Sequence, residues 1–261
     1  MQDKAVSQSD KSFRYRASYQ KLGEMRSLTH LELARQLRIA FARAEIPVSV
    51  GGSLPVQCQI SFGPALPMNV ESRGELVDFF TYQYLSPHQF LGRINETLPE
   101  EIHFLQMLPI SKTAPSLCAQ IDGAEYSVPL SHPDTVAVLS EYVRKHRVAE
   151  KDGHRHAILH FRLQGEIFLT KHKSGKVVNI KDFVHDIRQD EPHQLLWIEM
   201  KIVNGTTVGI HHLLKALYTM DTELPVCRER LYVTSGGQKR SPLTLEWEQI
   251  QWQRHMADLT H

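Results

Sequence analysis

Apolar and polar residues alternate along FRYRASYQ (13–20) and VQCQISFG (56–63), a period of two that predicts strands. GELVDFFTYQYL (74–85) and EIHFLQMLPI (101–110) read as two more. Between them the period changes to that of a helix. From Leu28 to Ala44, the residues Leu33, Leu37, Ala40, Phe41 and Ala44 fall on one stripe, with Arg35 and Arg38 opposite. SPHQFLGRINETLP (86–99) opens with Ser86 as N-cap and Pro87 at the first helical position. The first part of the chain therefore predicts the order β-α-β-β-α-β.

The same order is predicted again downstream: strand 124–130, helix 132–147, strands 156–163 and 193–203, helix 209–220, strand 226–234. An insertion at about 164–192 holds an expected hairpin around KSGK and a short helical IKDFVHDI. The expected fold class is α+β, two tandem ferredoxin-like units with antiparallel sheets, the second carrying the insertion. Their expected bounds are 12–115 and 116–235, after a disordered 1–11 and before a tail or terminal helix at 236–261. A single α+β domain whose elements happen to alternate is the other reading. The repeat is one of element order, not of residues, and it does not name a function.

The start of the first helix draws attention because Thr29 and Glu32 form a T-x-x-E capping box with Leu28 and Leu33 at the staple positions. His30 is then the first helical residue, at the edge of the apolar stripe. A helix N-terminus with its free N–H groups attracts anions. The turn before it supplies Lys21, Gly23 and Arg26. The candidate anion or RNA site is thus Lys21, Gly23, Arg26 and His30, with Arg35 and Arg38 along the helix. The alternative is that the capping box satisfies the N–H groups, His30 packs under the turn, and the two arginines are a solvated face.

Charge narrows the choice only slightly. Thirty basic and 29 acidic residues give a net charge of +1, which excludes the overall basicity of a free nucleic-acid binder but not a local basic patch. Cys58, Cys118 and Cys227 are too far apart for a metal knuckle or a redox pair, which favours a reducing cytoplasm. No signal peptide and no membrane span are expected. The chain has no GxxxxGK[ST] loop, HExxH or GxSxG motif, so neither a catalytic group nor a cofactor is expected. His154, His156 and His160 would share a face if 156–163 were a strand and could then hold zinc. His211 and His212 near a helix start, and the basic turn GGQKR (236–240), are weaker signals. Tyr15, Tyr19, Phe79 and Tyr82 would stack on bases only if exposed, and a core role is expected for most of them.

KLGEMRSLTHLELARQLRIAFARAEIPV, followed by ISFGPALPMNVESRGELVDF and KTAPSL, resembles the radical SAM-linked family, uncharacterised proteins fused to or encoded beside a radical SAM protein. The likeness runs over about 13–130, with GKVVNIKDFV as a further match. Lys21, Gly23, Arg26, Thr29, His30, Glu32, Arg43, Ala44 and Pro47 align with the family's opening motif and its helix. The family's G-F-N-P-H-P-type loop departs here: in GGSLPVQCQISF, Gly52 and Pro55 remain but its Asn and His do not. The three scattered cysteines cannot hold a radical SAM cluster, so this chain is not the radical enzyme. The resemblance implies a cytoplasmic, non-catalytic module that binds or positions an RNA, tRNA or rRNA, for a radical SAM partner. Two other readings stand beside it. One is a ferredoxin-like endoribonuclease of the repeat-RNA-processing type with His30 as acid or base, for which SGG (235–237) is a poor glycine-rich loop. The other is a protein–protein adaptor.

Overall fold

The computed structural model describes residues 12–51, 57–58, 60–147, 153–170, 175, 177–218 and 224–245. The loop 52–56, where the sequence departs from the radical SAM-linked pattern, lies outside them, as do 1–11 and 246–261.

The first half runs β1 (Phe13–Lys21), α1 (His30–Arg43), β2 (Val50–Gly51), β3 (Gln57–Cys58), β4 (Ile60–Phe62), β5 (Val70–Thr81), α2 (Pro87–Asn95) and β6 (Ile102–Ile110). A short α3 (Leu117–Gln120) leads to the second half: β7 (Gly123–Pro129), α4 (Pro133–His146), α5 (Gly153–Leu163), β8 (Phe168–Thr170), β9 (Val177–Asn179), β10 (Val184–Asp190), β11 (Leu195–Lys201), α6 (Ile210–Tyr218), β12 (Val226–Ser235) and β13 (Gln238–Arg240). The result is a mixed α+β fold around one large, mostly antiparallel sheet. Its strands follow the order β10-β11-β7-β12-β5-β1-β6, with β4 added on β5 and β13 on β12.

The helix starts are set by the residues that predict them. Thr29 Oγ1 accepts from Glu32 N while Glu32 Oε2 accepts from Thr29 N at 2.8 Å, and Ser86 with Gln89 repeats the reciprocal pattern at α2. Each half arranges its four main strands alike: β6-β1-β5-β4 in the first and β12-β7-β11-β10 in the second.

The halves meet on β5. Near its start, Val70–Ser72 pairs in parallel with Val226–Arg228, and near its end Val77–Phe79 pairs antiparallel with Ile60–Phe62. Neighbouring residues of a strand point to opposite faces. Val77 and Phe79 enter the core made with α1 and α2, whereas Leu76 enters the core that contains residues of α4, α5 and α6. One strand thus serves both cores. Beside it, Arg14 and Arg16 of β1 are buried against Asp78 at 2.8 and 2.7 Å. Further N–H groups of the two guanidiniums hold the inter-half segment and the chain's later part through the carbonyls of Ala114, Pro115 and Pro242.

Several local expectations are corrected. Residues 156–163 belong to α5, not to a strand: Ala157, Ile158 and Phe161 are buried at helical spacing, and Gly153 fits against Leu139 and Val143, where a Cβ would come within 2.7 Å. The strand that this segment was expected to supply is β10. It occupies the second half of IKDFVHDI, whose first half is a 3-10 turn. The predicted strand 74–85 lies earlier, at Val70–Thr81, and 56–63 is broken into β3 and β4. GGQKR is the tip and return of a tight hairpin, with Gly236 and Gly237 at φ +58° and +75°, values that two-residue hairpin turns require. Among the described residues no helix is long and apolar enough to cross a membrane.

Placing α5 against α6 puts His154 Nδ1 3.0 Å from the Tyr218 hydroxyl, and burial pushes the imidazole down to about 4. The unfolded chain then takes up the proton first, so this group's contribution to stability is present above about pH 6.5 and is lost as pH falls toward 4. Urea unfolding of wild type and His154→Gln across that window should give a difference that falls with pH, by at most about 1.4 kcal/mol per unit. A flat difference would place His154 in solvent.

Candidate functional site

A short 3-10 turn, Gly23–Ser27, joins β1 to α1 and lets the end of β1 fold under the start of the helix. Gly23 adopts φ +54°, and its N–H donates to Glu71 Oε1 at 2.9 Å. Lys21, the last residue of β1, is only 2% exposed, and its ammonium donates to Leu28 O at 3.0 Å. An ammonium has three N–H donors; among the described residues no second acceptor binds this one. Burial pulls the Lys21 pKa down, with the Glu75 carboxylate opposing that shift and Arg228 adding to it.

Glu75 lines a pocket with Lys21 and His30, and buried Arg228 is the ion-pair partner of Glu75. Arg228 Nε and Nη2 reach the two Glu75 oxygens at 2.7 and 2.5 Å, and both side chains are buried. Arg228 Nη2 also donates to Pro64 O at 3.0 Å, and Ser72 Oγ donates to Glu75 Oε1 at 2.6 Å. The loop Gly63–Leu66 closes the pocket from above. His30 stands at its mouth, exposed, its ring edge-on to Phe62 with centroids 4.9 Å apart. The free space enclosed is about 10 Å³, on the order of one water molecule. The arrangement is a pre-charged but narrow pocket whose unsatisfied donors belong to Lys21. A larger oxyanion needs the Gly63–Leu66 loop to move.

The predicted residues therefore separate. Lys21 and His30 line one pocket, and His30 is a rim residue rather than part of the core. Gly23 shapes the turn. Arg26 is exposed, and Arg35 and Arg38 are exposed on the outer face of α1. The helix N-terminus is already served by Thr29 and the Glu32 carboxylate, so the deep positive charge comes from Lys21 and Arg228 instead. Sequence reasoning missed Glu75 and Arg228. Each sits in an apolar strand pattern, where a charged residue facing inward was the available signal.

The other candidates take different roles. Because α5 is a helix, His154 and His156 do not share a face: His156 is exposed while His154 is bound to Tyr218. Among the described residues no group of His, Cys, Asp or Glu is arranged to hold a metal. His211 Nε2 lies 3.2 Å from Met68 O, beside the same loop, and Lys239 of the hairpin is bound to Glu125 and Glu199. Tyr15, Tyr19 and Phe79 are core residues and Tyr82 is 57% exposed.

A family model described as "Uncharacterized protein conserved in bacteria (DUF2344)" matches residues 14–211, and the chain belongs to that family. The match runs from β1 into α6, covering Lys21, His30 and Glu75 but stopping short of Arg228. No curated protein matches the chain.

Removing one member of the buried pair leaves the other charge without its partner. Glu75→Gln should lose about 3–5 kcal/mol in urea unfolding, and Glu75→Leu with Arg228→Met should recover most of that loss. A double variant no better than the single would show that the pair is a net source of stability.

Proposed function

We propose that this member of an uncharacterised bacterial family is a non-catalytic binding module. It recognises a phosphate-bearing substrate, RNA of the tRNA or rRNA class, and positions it for a radical SAM enzyme. The observation that carries the reading is the buried Lys21 ammonium with one acceptor among the described residues, near Arg228 and beside His30. Such a cation is stabilised when an oxyanion or an ordered water supplies the missing acceptors. The radical SAM partner is inferred from the motif between Lys21 and Pro47, and RNA is the substrate class which that resemblance implies.

The like strand orders of the two halves support the reading of each as a ferredoxin-like unit, joined through β5 and β12. In that arrangement the pocket, lined by β1, β5 and the segments between them, lies beside the seam where Arg228 of β12 holds Glu75. Such a site suits a module that positions a ligand, because Lys21 offers donors in it and, among the described residues, no Ser, Thr or Cys nucleophile lines it.

The test begins with protein purified at low salt, read by its 260/280 nm absorbance ratio before and after ribonuclease. Binding of total tRNA is then measured against salt. The expected result is co-purifying RNA and a steep salt dependence. His30→Ala and Arg26→Ala should each weaken binding severalfold at unchanged Tm, with Arg26→Ala lowering the salt slope by about 1. A protein-only ratio with no tRNA binding would overturn the RNA reading. A lowered Tm for His30→Ala with binding unchanged would return His30 to a packing role.

A further inference from the structure

The edge of the sheet farthest from the seam pocket has a groove of its own. On α5, Arg155, Ile158, Leu159 and Arg162 follow the i, i+3, i+4, i+7 spacing and form one helix face. That face borders β10, and three adjoining depressions of about 480, 320 and 220 Å³ run along the junction. Leu159 is 50% exposed within it. Among the described residues β10 pairs only with β11, so its other side is an open strand edge.

The chemistry of this edge points to a polypeptide. The carbonyl of Ile187 is turned outward, where Arg162 Nη2 donates to it at 2.6 Å. By the alternation of an antiparallel strand, the backbone N–H and C=O of Gln189 face the same way. The amide oxygen of Gln189 is buried without a donor among the described residues, a rare state that a further N–H would relieve. The opposite edge of the sheet is closed differently: Asn95 donates to Phe104 O at 2.9 Å and accepts from Phe104 N at 2.8 Å, a side-chain imitation of a strand. Among the described residues no such cover lies along Gln189.

Charge then narrows the class of peptide. Arg155 pairs with Glu191, Arg162 with Asp186 at 3.3 Å, and Arg188 lies over the Trp197 ring at 5.7 Å. Both ion pairs are solvent-exposed and hence weak, so incoming carboxylates can replace Asp186 and Glu191 at little cost. Arg162 acts as a placeholder, donating where a strand's N–H would donate.

We propose that the groove between α5 and β10 takes up an extended segment of a partner protein as a strand added along β10, with apolar and acidic residues at every second position, those that face α5. The proposal rests on the reading above only in that the module works beside another protein; it does not need RNA to bind. Its backbone pairs with Ile187 and Gln189, its apolar side chains meet Ile158 and Leu159, and its carboxylates meet Arg155 and Arg162.

The probe is a phage-displayed random-peptide library selected on the full chain, with enriched peptides measured by fluorescence anisotropy. Peptides with apolar and acidic residues at every second position should be enriched. Gln189→Pro, which removes an outward N–H but none that pairs with β11, should weaken their binding at least tenfold at unchanged Tm. Arg155→Glu should weaken it as well, which keeps the test open if the proline variant fails to fold. Hydrogen exchange should slow at Ile187 and Gln189 when peptide is bound. No enrichment, or binding indifferent to both variants, overturns the proposal. So does a self-association abolished by Gln189→Pro, which would make a second copy the occupant, or poly(U) binding lost in Arg155→Glu without any peptide binding. Peptide binding without tRNA binding would leave this inference standing while the RNA reading falls; the converse separates them the other way.

Discussion

The contact between Glu75 and Arg228 holds a position on which both halves depend. The parallel pairing of β12 with β5 spans only Val70–Ser72 and Val226–Arg228, too few residues to fix a junction by backbone bonds alone. A bidentate pair of buried charges does so, because any slip would leave both ions desolvated and unpaired. The pair is a costly device in an interior, and the surroundings offset that cost: Pro64 and Ala65 turn their carbonyls onto Arg228, and Ser72 donates to Glu75. The same requirement explains the Gly63–Leu66 loop, which is held down by the guanidinium it satisfies. The roof of the candidate site and the joint between the halves are therefore one construction.

Two other charge clusters follow the same logic. Arg14 and Arg16 share Asp78, and the excess positive charge is met by backbone carbonyls of the inter-half segment and Pro242. Farther along the sheet, Glu125 and Glu199 are adjacent strand partners that would repel each other, and Lys239 reaches between them while Arg230 forks onto Glu125. Burial would push the Glu125 carboxyl upward, yet Arg230 and Lys239 hold it below its ordinary value. Among the described residues eight charged side chains are buried, and the composition alone hid this.

What could be read from the sequence was local. The capping residues Thr29 and Ser86 fixed two helix starts, and the stripe of Leu33, Leu37, Ala40 and Phe41 fixed the buried face of α1. The misreadings also have physical causes. HAILHFRL carries apolar residues that fit either period over eight positions, and what decides for a helix is Gly153, which fits only because of where Leu139 and Val143 lie. β10 is an edge strand with Ile187 as its one fully buried side chain, so it lacks the alternation by which strands are recognised. Lys21 and His30 were legible as a pair because the turn before α1 brings them together within ten residues. Glu75 and Arg228, 153 residues apart, were not, since only strand pairing makes them neighbours.

The two surfaces singled out here lie in one hydrogen-bonded sheet. From β12, which carries Arg228, to the edge strand β10 there are three strand steps, on the order of 15 Å at the usual spacing. That is short enough for one partner to lay a segment along β10 while a ligand sits at the seam. It is also too stiff a path to suit a relay of motion, because β7 and β11 between them are buried and fully paired. The movable part is the Gly63–Leu66 loop. It is tied to the second half by Arg228 at Pro64 and, two residues past its end, by His211 at Met68. Because Arg228 holds both Glu75 and Pro64, opening the roof requires breaking the Arg228–Pro64 bond. Entry to the pocket and release of its roof would then be the same event, with the sheet remaining a fixed platform for whatever is bound at its edge.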